Sequence, residues 1–241
     1  MSPIDRDEME RDELDRDELV SGPLRTPRAA AVAGVVFALL LTAVLALIRI
    51  AASSDRGDAA AWLGDPGRKR LIVVALNLVP FGGIAFLWFI GVVRDRLGRR
   101  EDQFFTTVFL GSGLLFVAML FMASAVTGGL LAAVRTGAPP DVLAFGRRIG
   151  AVVLHTYAMR MAAVFTISTA TIGLRTGFIP RWLAFSGWAI ALVLLLVIDV
   201  TPWIELLFPL WILLFSLDTL ADSFRKSRGG GTRRDVDSFS G

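Results

Sequence analysis

Apolar residues run along this chain in stretches far longer than a soluble helix or strand requires. Six such stretches stand out, at residues 29–50, 71–93, 104–134, 149–174, 182–198 and 202–221. Crossing a hydrocarbon core about 30 Å thick takes about 20 mostly apolar residues. Inside lipid the backbone must satisfy its own hydrogen bonds, which restricts such runs to helices. The pattern predicts an all-α fold, a six-helix transmembrane bundle over residues 28–222. An acidic tail at 1–27 and a basic, Gly-rich tail at 223–241 are expected to be disordered. The longest connection, residues 51–70, is too short for a soluble domain. A signal peptide is not expected, because the region before the first apolar run is acidic and that run exceeds a signal core of about 7–15 residues.

Composition agrees: 54% of residues are hydrophobic and the mean hydropathy is +0.63. The chain has no cysteine and one histidine, so disulfides, thiolate ligands and multi-histidine metal sites within the chain are excluded. No cofactor is implied. The net charge of +3 conceals an asymmetry, since residues 1–20 hold nine acids against three arginines. That tail repeats with period five (Asp5 to Met9, Glu10 to Leu14, Asp15 to Leu19). Five residues turn a helix by about 500°, so Met9, Leu14 and Leu19 form no apolar stripe.

The basic remainder suits an anionic lipid surface, and the bilayer is the expected partner; nucleic acid is not. Arg and Lys near the span ends number 14 on the side of the two termini and 8 opposite. The positive-inside rule then makes both termini cytoplasmic, although Arg68, Lys69 and Arg70 argue the other way.

Polar residues within the spans are the candidates for function. Arg160 lies about 15 Å into the fourth span, where an arginine costs about 2.5–3.5 kcal/mol to insert, so it is expected to face the bundle and have a partner. Thr156 and Tyr157 precede it by one turn, and Glu205 and Asp218 of the last span are the carboxylates nearest in depth. The two readings are a structural arginine and a binding site for an anionic group.

His155 lies nearer the outer end of the same helix, about 140° around from Arg160. A histidine bonded to a neighbour is the simpler reading; an axial haem ligand or a proton relay is the sharper one. In the second span Asn77, Pro80 and Gly82-Gly83 suggest a kink, because Pro80 cannot donate to the Leu76 carbonyl. Pro209 has the same relation to Glu205.

Gly111-Ser112-Gly113 invites comparison with a serine nucleophile, but Ser112 and His155 are expected about 10 Å apart in depth, too far for a nucleophile–base bond. Small residues recur every fourth position at Ala30, Gly34, Ala38, Thr42 and Ala46, and at Ala158, Ala162, Thr166 and Ala170. Such faces let helices approach closely, within the bundle or between copies as a homo-oligomer.

The stretch Leu76-Asn77-Leu78-Val79-Pro80-Phe81-Gly82-Gly83, continuing through Trp88-Phe89-Ile90-Gly91 to Arg94-Asp95-Arg96-Leu97-Gly98, resembles a group of small polytopic membrane proteins of actinobacteria without assigned function. So does Ala158-Met159-Arg160-Met161-Ala162-Ala163-Val164-Phe165 with Ser168-Thr169. The resemblance covers most of residues 70–215 and implies a multi-pass protein of the bacterial cell membrane, with no activity attached. Two functions are therefore expected: a non-enzymatic structural, accessory or regulatory membrane protein, or a small transporter or channel around Arg160, Asn77 and Glu205.

Overall fold

A computed structural model describes residues 27–52, 65–97, 103–177, 179–196 and 203–229. Among these residues the structure is helical, without strands. Helix α1 is Pro27–Ala52, α2 is Pro66–Leu97 and α3 is Gln103–Arg135. Helix α4 spans Pro140–Thr176, α5 is Arg181–Leu196, and α6 is Leu207–Gly229 behind a 3-10 turn at Ile204–Leu206. The acidic repeat, the start of the last apolar run at residue 202, and the tail beyond residue 229 lie outside the described residues.

Among the described residues, five helices are long and apolar enough to cross a membrane. Helix α5 is the exception: its 16 described residues rise about 24 Å, short of a hydrocarbon core. Helix α4 starts nine residues earlier than its apolar stretch suggests, because Pro139-Pro140 opens it with proline at the first helical positions. Helix α2 likewise starts at Pro66, where the Asp65 side chain accepts from the Gly67 N–H at 2.8 Å. It then runs through Pro80 as one helix to Leu97.

Each helix packs on its neighbour in sequence, and α1 packs on α6, so the six close into a ring. Helices α1 to α4 run antiparallel to their neighbours in sequence, and α1 runs antiparallel to α6. Gly34 and Leu40 of α1 approach Phe89 and Gly82 of α2, and Gly83 and Ile90 of α2 meet Phe121 and Gly113 of α3. Gly146 and Gly150 of α4 lie against Leu130 and Val126 of α3.

The centre is aromatic. Phe37, Phe86, Phe116, Phe165 and Phe208 come from five helices and are buried. Their ring centroids lie between 4.3 Å (Phe37–Phe86) and 6.3 Å (Phe165–Phe208), in the tilted and edge-to-face arrangements that aromatic quadrupoles favour.

The small-residue face of α4 points into this ring: Ala158, Ala162, Thr166 and Ala170 are all fully buried. It is therefore occupied within the chain. On α1, Gly34 and Ala38 are buried while Thr42 is exposed. Helix α4 ends where Gly177 adopts φ 68°, a left-handed cap whose N–H bonds the Gly173 carbonyl.

Candidate functional site

Arg49 closes the last full turn of α1, His155 sits midway along α4, and Glu205 lies in the 3-10 turn that opens α6. The ring topology brings the three together at one end of the bundle. The Glu205 side chain is 4% exposed, and its Oε1 accepts from Arg49 Nη2 at 2.7 Å. The same oxygen bonds His155 Nδ1, which must carry the proton because a carboxylate can only accept. A carboxylate this buried needs such partners, since an isolated charge in a low-dielectric interior is far too costly.

His155 is presented by a π-helical turn, Val152–Ala158, inside α4. Such a turn accommodates an extra residue and shifts the helical phase of everything after it. Val153, Leu154 and Ala158 are buried around it, which leaves the half-buried imidazole between Glu205 and a cavity.

That cavity, of about 270 Å³, is half-enclosed between α1, α2, α3 and the first half of α4. Its walls are aliphatic, with Val44, Ile72, Leu76 and Leu120 prominent, and its polar lining is Ser124, Thr127, Arg147, Arg148 and His155. The two hydroxyls are committed, Ser124 to the Leu120 carbonyl and Thr127 to that of Ala123.

The other sequence candidates do not join this cluster. Arg160 is exposed on the outside of the bundle, not turned into it, and makes no ion pair with a described residue. The geometry explains this: Arg160 lies two residues, about 200°, around from Ala158, whose face is the buried one. Asn77 and Tyr157 are also exposed. Asp218 is half-buried, thirteen residues or about 20 Å along α6 from Glu205, and is engaged elsewhere.

Ser112 is buried and donates to the Val108 and Phe109 carbonyls of its own helix, which leaves it no base. Among the described residues no cluster of three His, Asp or Glu could hold a metal ion.

Sequence reasoning missed Arg49 as the partner of Glu205. The signal that finds it is depth. Arg49, His155 and Glu205 each fall within about two turns of the end of an apolar run, at residues 50, 149 and 202, and these ends lie on one side of the membrane in a six-span arrangement.

No protein-family model matches the chain, and no curated protein and no solved structure is similar to it. The site must be read from its own chemistry.

Proposed function

We propose that this chain is a non-enzymatic integral membrane protein, structural, accessory or regulatory in role, with both termini cytoplasmic in a bacterial cell membrane. The observation that carries this reading is that its buried charge is consumed internally: Glu205 is bonded by both Arg49 and His155. The hydroxyls behave the same way, with Thr166, Ser168 and Thr169 donating to carbonyls one turn back. Groups used up in this manner lock helices together, and among the described residues no hydroxyl is bonded to His155 as a nucleophile would be to its base.

The transporter reading required Arg160, Asn77 and Glu205 around one cavity. Glu205 is buried at the end of the ring, whereas Asn77 and Arg160 lie on exposed faces of α2 and α4. Reconstitution into liposomes with an imposed proton or anion gradient tests the choice. We expect flux equal to that of empty vesicles. A flux that Glu205→Gln abolishes, while the protein remains folded, would reinstate the transporter.

A further inference from the structure

We propose that the cavity between α1, α2, α3 and α4 is a binding site for an anionic phospholipid of the surrounding bilayer. One acyl chain occupies the cavity, and the lipid phosphate sits on Arg147 and Arg148.

The shape of the cavity is the first argument. Its lining runs from Leu120 to Leu130 along α3 and from Arg147 to His155 along α4. At 1.5 Å per residue these spans are about 15 Å and 12 Å. A volume of about 270 Å³ drawn out over that length leaves the width of one extended hydrocarbon chain. It lies just under the range of about 300–1,000 Å³ typical of small-molecule sites, too little for both chains of a lipid.

The distribution of charge is the second. Helices α3 and α4 are antiparallel here, so the Leu130 end of the cavity is also the Arg147 end. At the other end His155 is held by Glu205, whose charge Arg49 shares, so positive charge is balanced there. Ser124 and Thr127 have spent their protons on their own helix. What remains unbalanced in the lining is the pair Arg147 and Arg148, neither joined to a described carboxylate.

The third argument is position. The apolar run of α4 starts at residue 149, so these two arginines stand at its boundary, level with headgroups, while the cavity extends from them into the hydrocarbon. Guanidinium groups match phosphate oxygens through paired N–H donors, and an anionic headgroup leaves the charge of both arginines something to balance. The surrounding bilayer supplies such a ligand.

The test uses the full-length protein in a non-ionic detergent, with its thermal midpoint followed as lipid is added. Phosphatidylglycerol should raise the midpoint saturably, and phosphatidylcholine of the same chains should do so at least about tenfold more weakly. Inorganic phosphate alone should give no shift; a shift equal to that from the lipid would overturn the requirement for a chain. Replacing both arginines (Arg147→Gln with Arg148→Gln) should weaken the phosphatidylglycerol response by about tenfold or more.

Should that double variant fail to fold, Ala151→Leu fills the cavity from a lining position and should abolish the response without lowering the lipid-free midpoint. Arg160→Gln, which removes an exposed arginine away from the cavity, should leave the response unchanged. A phosphatidylglycerol response that survives Ala151→Leu, or that falls equally with Arg160→Gln, would overturn the proposal.

Discussion

Arg49 at the end of α1 and Glu205 at the start of α6 meet at 2.7 Å, across 156 residues of sequence. This contact joins the first and last helices at the place where the ring closes. A buried ion pair is a weak source of net stability, yet removing one partner strands the other and costs about 3–5 kcal/mol. Arg49 keeps about a quarter of its side chain exposed (24%), so the loss from Glu205→Gln should fall toward the low end of that range. Replacing both residues by Met should restore part of it. Denaturant or SDS unfolding in mixed micelles measures each step, and a double-mutant coupling near zero would mean that the pair does not join the helices.

Close packing between the same two helices makes a second prediction. A Cβ at Gly34 would stand 2.1 Å from Ser216 Oγ and 2.8 Å from the Phe89 ring. Gly34→Ala should therefore destabilise by about 1–3 kcal/mol, the usual cost of overpacking. Ser216 is fully buried and its hydroxyl has no hydrogen-bond partner among the described residues. Ser216→Ala alone should be neutral or stabilising, because it removes an unsatisfied polar group. It should rescue Gly34→Ala only in part, since Phe89 remains in the way. Full rescue in a thermal melt would show that the serine, and not the ring, sets the spacing.

Much of this was written in the chain. The apolar runs mark all six helices, and the four-residue spacing of Ala158, Ala162, Thr166 and Ala170 marks the face of α4 that turns inward. That same spacing places Arg160 on the opposite face, so periodicity was a better guide to its environment than the cost of inserting a charge. Depth alone puts Arg49, His155 and Glu205 at one level, but which of them touch was not legible, because three helices far apart in sequence must first be arranged in a ring. The π-turn at Val152–Ala158 has no period of its own, and it alters the phase on which any face assignment for His155 depends.

Trp211 couples α6 to α5. Its ring is fully buried, its Nε1–H donates to the Leu183 carbonyl at 3.1 Å, and a Cβ at Gly187 would lie 2.9–3.0 Å from the indole. Helix α5 is the short helix of the ring, so this contact is expected to decide how firmly it is held. Gly187→Ala should cost about 1–3 kcal/mol and shift the tryptophan emission, because the indole must move. An unchanged melt and spectrum would place α5 more loosely than the structure does.

Arg160→Leu should leave the thermal midpoint unchanged or raise it. The residue is exposed and makes no hydrogen bond with a described residue, while a lipid-facing arginine within an apolar helix carries an insertion cost. A fall comparable to that of Glu205→Gln would require a partner for Arg160 that the ring does not provide.

Topology is the remaining prediction. Six membrane crossings put the connection between α1 and α2 on the side opposite the end of α6. Positive charge near the span ends favours the termini as the cytoplasmic side, with Arg68, Lys69 and Arg70 as the opposing cluster. Acidic residues contribute little to orientation, so deleting residues 2–20 should leave topology and thermal stability nearly unchanged. Reporter fusions near Gly57 and at Gly229 should signal opposite sides, with the Gly229 fusion cytoplasmic. The short helix α5 makes this experiment decisive. If α5 fails to cross, α6 runs in the reverse direction, both reporters signal the same side, and the antiparallel pairing of α1 with α6 that brings Arg49 to Glu205 is lost.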